Sequence, residues 1–203
     1  MVTVVEESLE DYNATNTKKM PLVMFVDAVS HVARISRIIR QPLGNALLLG
    51  VGGSGRQSLA RLATAMSEFD CFQIEIAKNY GKVEWRDDLK RALLIAGDEG
   101  KSLTFLFTDT QIVKESFLED INNILNTGEV PNLFDDNDVN AITSNMRPIA
   151  TAAGLPATKV ALYSLFVKRV RKNVHMALCM SPLSAEFAAR LRNFPSLVNN
   201  CTI

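Results

Sequence analysis

Two hydrophobic periods alternate along this chain, and the switches between them mark out its elements. Over residues 22–40 the apolar positions Phe25, Ala28, Val29, Val32, Ile35, Ile38 and Ile39 recur at helical spacing, and Pro42 with Gly44 ends that helix. Residues 45–49 form a short apolar run, the pattern of a buried strand. Leu59, Leu62, Ala63 and Met66 then return to the helical period. Over residues 70–76, Phe72, Ile74 and Ile76 alternate against Gln73 and Glu75, which predicts a second strand. Trp85, Leu89, Ala92, Leu93 and Ala96 predict a helix ending at Gly97 or Gly100. Residues 103–107 are a third buried strand, closed by Thr108-Asp109-Thr110-Gln111. Phe117, Leu118, Ile121, Ile124 and Leu125 mark a helix stopped by Gly128, and two further helices fit residues 138–153 and 158–172. A fourth strand covers 173–180, stopped by Ser181-Pro182, and a short helix over 185–192 leads to a final apolar segment, 197–203. The first twenty residues are mixed and polar, and read as a leader that packs on another surface, inside or outside these residues.

Strands that are nearly continuous in apolar residues and alternate with helices predict a parallel sheet covered on both faces. Ligands on such sheets bind beyond the carboxyl ends of the strands. The chemistry is therefore expected in three loops: 50–58, 108–111 and 180–182.

The first of these loops organises the rest. Gly50-Val51-Gly52-Gly53-Ser54-Gly55-Arg56-Gln57-Ser58 stands between an apolar strand and an amphipathic helix. The phosphate-binding loop has the form G-x-x-x-x-G-K-[ST]. Gly50 and Gly55 fall in register, Arg56 takes the lysine place, and Gln57 takes the hydroxyl place. The glycines let successive backbone N–H groups turn inward on a phosphate, and the helix adds its own free N–H groups and dipole. Arg56 still supplies positive charge. Gln57 is a poor magnesium ligand beside a hydroxyl, and Ser58 is rotated by roughly 100° on the helix and does not replace it.

Composition narrows the field. Apolar residues make up 47% and charged residues 22% of the 203, an ordinary globular balance. Twenty-two basic and 22 acidic side chains give zero formal charge, so no nucleic-acid footprint is expected. No apolar run reaches membrane-spanning length, and no signal peptide is read at the start. Cys71, Cys179 and Cys201 are odd in number, far apart and flanked by apolar residues, which predicts buried free thiols. Neither His31 nor His175 has a ligand partner at metal spacing.

In nucleotide hydrolases of this type an apolar strand ends in an acid that holds magnesium, often followed by a Glu that activates water. Here the strand ends in Thr108-Asp109-Thr110, and two alignments are open. Asp109 stands either at the magnesium-side acid, with Thr110 in the Glu place, or in the Glu place itself, with Thr108 in the Asp place. Either way one carboxylate remains, against the bland alternative of a helix-capping Asp. Ser181, after the fourth strand, is placed to touch water or a terminal phosphate, or merely to cap the turn before Pro182. Arg190 and Arg192 are candidates for an arginine finger toward a neighbouring subunit, Arg192 being preferred, or are two solvated charges.

These residues carry a family resemblance. Residues 44–59, the run Phe105 to Val113, Phe117 to Asn123, Gly128 to Phe134, Cys179-Met180-Ser181-Pro182 and Arg192 to Asn199 together resemble the fourth AAA+ module of axonemal-type dynein heavy chains, over roughly residues 20–203. The resemblance implies an α/β P-loop NTPase fold: a three-layer sandwich with a five-stranded parallel sheet and helices on both faces. It divides the chain into a leader, residues 1–20, and a AAA+ large subdomain, residues 21–203. The helical lid that clamps adenine and ribose, and the microtubule-binding stalk, are expected to be missing from these residues. It implies ATP or ADP with Mg2+ as cofactors, held by Gly50, Val51, Gly52, Gly53, Ser54, Gly55, Arg56, Gln57 and Ser58, with Gln57 and Asp109 at a degraded metal site. Ser181 takes the sensor position and Arg192 the in-trans finger. Implied partners are the neighbouring AAA+ modules of the same heavy chain, with microtubules reached through the intact motor, and neither nucleic acid nor membrane. Implied locations are cytoplasm, cytoskeleton and the axoneme of a cilium or flagellum. The departures at Arg56, Gln57 and Thr108-Asp109 point to slow or no hydrolysis. Two rival classes stand beside this one: a nucleotide-free ring spacer, and a competent ATPase or kinase of another P-loop family.

Overall fold

In the computed structural model, residues 2–203 are described. In chain order the principal elements are α1 (Val2–Thr15), α2 (Val26–Ile39), β1 (Ala46–Leu49), α3 (Arg56–Met66), β2 (Asp70–Phe72) and α4 (Lys82–Leu94). Then follow β3 (Leu103–Thr108), α5 (Ser116–Thr127), α6 (Asp136–Ala152), α7 (Lys159–Asn173), β4 (Val174–Met180), α8 (Phe187–Asn193) and α9 (Ser196–Asn199).

The strands form one parallel sheet in the order β1-β4-β3-β2. A fifth position exists beside β1 but is only one bridge long: Ala46 pairs with Thr202. The Leu47 N–H donates to the Thr202 carbonyl at 2.8 Å, and the Thr202 N–H to the Asn45 carbonyl at 2.8 Å. The expected five strands are therefore four full strands and a bridge.

Strand alternation divides the core. Leu103, Phe105 and Phe107 of β3, with Val174, Met176, Leu178 and Met180 of β4, face the larger core built with α4, α5, α6 and α7. Leu106, Ala177 and Cys179 face Ala60 of α3 on the other side. Beyond α3 a third cluster joins Val29, Val32, Ile35 and Ile39 of α2 to Leu62 and Ala63. β3 and β4 are buried along their whole length, as central parallel strands must be.

Residues 2–15 of the expected leader form α1. Its Val5 and Leu9 are buried, with Met20, in the cluster of α2 and α3. Val5, Leu9 and Tyr12 lie at i, i+4 and i+7, a stripe short enough to be masked by the acidic residues between them. β2 also stops early, at Phe72 rather than residue 76. Past it the Ile74 carbonyl turns to accept from Gln111 Nε2 at 2.7 Å instead of entering the ladder.

α4 runs on into a π turn, Ile95–Glu99, before Gly100 reverses the chain at φ 75°. The turn is locked to α7: Arg169 Nε donates to the Gly97 carbonyl at 2.6 Å, and Asn173 Nδ2 to the Ala96 carbonyl at 2.8 Å. The cysteines correct the expectation of three buried thiols. All are free, but Cys179 alone is buried, Cys201 is intermediate and Cys71, on the edge strand, is exposed.

Candidate functional site

The order β1-β4-β3 brings three carboxyl-terminal loops side by side. The loop after β1 is bent by two residues in the left-handed region, Gly53 at φ 79° and Gly55 at φ 77°, where a Cβ would be strained. Gly55 is the N-cap of α3 and Arg56 its first residue. Within the loop the Ser54 N–H donates to the Val51 carbonyl at 3.3 Å. The N–H groups of Gly52, Gly53, Gly55, Arg56, Gln57 and Ser58 meet no acceptor among the described residues. A Cβ built on Gly52, Gly53 or Gly55 would meet nothing within 4 Å, so this row of donors borders open space. Such a row at a helix N-terminus is an anion cradle by chemistry.

Arg56 does not reach into that space. Its guanidinium turns back, donating from Nη1 to the Met180 carbonyl and from Nη2 to the Val51 carbonyl at 3.2 Å. The Gly50 N–H also donates to the Met180 carbonyl, at 3.3 Å. Asp109 opens a short 3-10 turn after β3, and its Oδ2 accepts from the Ser181 N–H at 2.8 Å. Asp109 and Ser181, both candidates from the sequence, are thus in direct contact. The contact uses the backbone of Ser181; its hydroxyl accepts from the Leu183 N–H at 3.4 Å. Thr108 is buried, with its hydroxyl 2.8 Å from that of Thr110 and its N–H donating to Gln111 Oε1 at 2.9 Å. Beneath the site, burial pushes the Cys179 thiol up to about 12, so it stays protonated and inert.

The other candidates scatter. Gln57 is exposed and its Oε1 accepts from Gln73 Nε2 at 3.4 Å, toward the end of β2. Gln73 is held in turn by Arg61. Arg190 is bound within the chain, its Nε and Nη2 donating to Glu115 Oε1 at 3.0 and 2.8 Å, whereas Arg192 is exposed. Among the described residues no three His, Cys, Asp or Glu side chains gather at one point. The sequence did not single out Gln73 or the Met180 carbonyl, and gave Gln111 only as part of the loop 108–111. Gln73 carries no motif, and a backbone acceptor carries no residue-type signal.

Beside the loop lies a cleft of about 610 Å3, floored by Leu47, Leu49 and Ile38 and edged by Ser54, Arg56 and Ile203. It is large enough for a base and sugar and continuous with the phosphate loop. A hollow of about 490 Å3 under Gly44 and Asn45 sits at the opposite, amino-terminal end of the strands, the wrong end for a ligand of a parallel sheet.

Comparison with known proteins adds to this geometry. Residues 20–203 match the family model described as P-loop containing dynein motor region D4. Human dynein axonemal heavy chain 1 is 60% identical over 203 residues, all of this chain. Human dynein axonemal heavy chain 6 is 50% identical over 201 residues. The dynein-1-beta heavy chain of the flagellar inner arm I1 complex of Chlamydomonas reinhardtii is 53% identical over 201. In the last two, 98% of the chain is covered. The chain spans only 4–5% of the length of these relatives.

Proposed function

We infer the function of this chain from its family: it belongs to the P-loop containing dynein motor region D4, a AAA+ nucleotide-binding module. Our reading is that it holds ATP or ADP as a regulatory site within an axonemal dynein heavy chain and hydrolyses it slowly or not at all. The family match sets aside a P-loop enzyme of another family. The observation that carries the reading is the row of six N–H donors between Gly52 and Ser58 that meet no acceptor among the described residues.

In this proposal the phosphates rest on those N–H groups, with Gly50, Val51 and Ser54 shaping the loop and Arg56 supplying charge. Asp109 and Gln57 are the residues that would hold magnesium, which when bound would neutralise charge on the outer phosphate oxygens. Both are ill placed for it: Asp109 already serves the Ser181 N–H, and Gln57 serves Gln73. Ser181 would orient water or the last phosphate, and Arg192 would face the nucleotide of the neighbouring AAA+ module. The wider role follows from the relatives. The module would sit in a ring with its neighbours, reach microtubules only through the whole motor, and work in the cytoskeleton of a ciliary or flagellar axoneme.

A second reading, a nucleotide-free spacer, is favoured by one fact: Arg56 is spent on two carbonyls. Calorimetry with ATP and ADP at millimolar concentration separates the two. Heat of binding and a raised melting temperature support the nucleotide site. Neither effect with either nucleotide leaves the spacer.

A further inference from the structure

The contacts of Arg56 and Asp109 meet on one peptide group. The Met180 carbonyl, which accepts from Arg56 Nη1 and the Gly50 N–H, and the Ser181 N–H, which donates to Asp109 Oδ2, belong to the same planar unit. A guanidinium of the phosphate loop grips one end of that peptide and a carboxylate of the β3 loop grips the other. Arg56 simultaneously reaches the Val51 carbonyl at 3.2 Å, so the peptide is tied to the loop as well.

We propose that Arg56 is a latch: it clamps the Met180–Ser181 peptide to the phosphate loop, and phosphate competes for it and releases it, so that Asp109 senses occupancy of the loop through this one peptide. The release half rests on the nucleotide-site reading above. The chemistry is a competition. Carbonyls are neutral acceptors, and a polyphosphate on the adjacent N–H groups is an anion that takes a bidentate, charge-assisted pair from the same guanidinium. A peptide held at both ends is also polarised along its length, so a donor removed from its carbonyl weakens its N–H as a partner for Asp109. Arg56 is in this role a positioning residue, acting on Asp109 through the backbone. Lysine would not do the same, because one ammonium lacks the planar fork that spans two carbonyls.

Two measurements on the whole chain test this, read from amide resonances. The first uses no ligand. Arg56→Ala and Arg56→Lys are both expected to speed hydrogen exchange at the Ser181 amide by roughly three- to tenfold, the net worth of the hydrogen bond lost from the carbonyl end of its peptide. Core amides such as that of Phe105 should stay unchanged. Exchange at Ser181 within twofold of wild type in both variants overturns the latch, and a Lys variant that matches wild type while Ala does not reduces it to a charge effect and overturns it equally. The second adds ADP or inorganic pyrophosphate. In wild type, the Gly53, Gly55 and Ser181 resonances are expected to move together, and in Arg56→Ala only the loop resonances should move. Ser181 following the ligand equally in both proteins, or standing still in wild type while the loop moves, overturns release. Loop resonances silent to both probes in wild type sink the nucleotide site and release with it, while the exchange measurement still decides the clamp.

Discussion

In the proposed site Asp109 has two roles to fill and one oxygen without a partner among the described residues. With Oδ2 committed to the Ser181 N–H, little remains for both metal and water, and phosphoryl transfer needs each of them. Each such defect costs on the order of 100-fold or more. Phosphate release by this chain is therefore expected near background, and Arg56→Lys with Gln57→Thr should not restore it, because Asp109 is unchanged. Steady magnesium-dependent release by wild type that Asp109→Asn abolishes would show a working site. His175 gives a pH prediction. Burial holds its ring below the ordinary histidine value, against the pull of its 2.8 Å hydrogen bond to the Gly44 carbonyl, and it stacks on Phe69. A depressed folded value means that its contribution is present above the ordinary value and is lost as pH falls through the folded one. Urea midpoints should drop from about pH 7.5 to about pH 5, and His175→Leu should flatten that slope while lowering the midpoint at the upper end. The loop glycines, Asp109 and Ser181 could be picked from sequence because residue type and spacing signal them. Their linkage could not, since it runs through a backbone N–H and a backbone carbonyl that every residue possesses.

At the scale of elements, the helices of the larger core carry their own start and stop chemistry. Asp135 caps α6, accepting from the Asp138 N–H at 2.9 Å, and Asp138 returns the bond to the Asp135 N–H and pairs with Lys90 at 2.5 Å. Asp135→Ala is expected to cost about 1 kcal/mol, read as a shift in the urea midpoint. The junction of the π turn with α7 is more sensitive. A Cβ on Gly97 would lie 2.4 Å from Phe166 Cε2 and 2.7 Å from Val170 Cγ2, both in the packed core. Gly97→Ala should cost about 1–3 kcal/mol by the same measurement, because neither neighbour can withdraw without overpacking its own. The element order was legible because the helical period is strong over α2 and α5 and the apolar run is nearly continuous over β3 and β4. Three features were not. α1 shows only a brief apolar stripe among acids, β2 ends where Gln111 captures the Ile74 carbonyl, and the π turn depends on Phe166, Arg169 and Asn173, some 70 residues away.

For the whole molecule, equal numbers of acidic and basic side chains leave no net field to steer it to a charged polymer. The chain alone is expected to stay in the supernatant when microtubules are sedimented at physiological salt, and cosedimentation would contradict the module reading. Arg190 is tied to Glu115 and Arg192 is not, so a ring containing this module should show Arg192 at the neighbour's nucleotide. A ring structure with that guanidinium turned away removes it from the proposal. The strand order has a consequence for how the molecule is made. β1, which carries the phosphate loop, pairs with β4, and Asn45 reaches Met176 across a separation of 131 residues. β3 likewise waits for β4 on one side, though β2 is close by in the chain. During synthesis the loop strand therefore emerges long before its neighbour, with apolar side chains, unpaired backbone N–H and C=O groups and no ladder to join. Closing so long a segment is slow, and a strand that waits unpaired is open to wrong partners. The exposed interval lasts until residue 180 clears the ribosome, so a chaperone's protection would matter most while α4 to α7 are being translated.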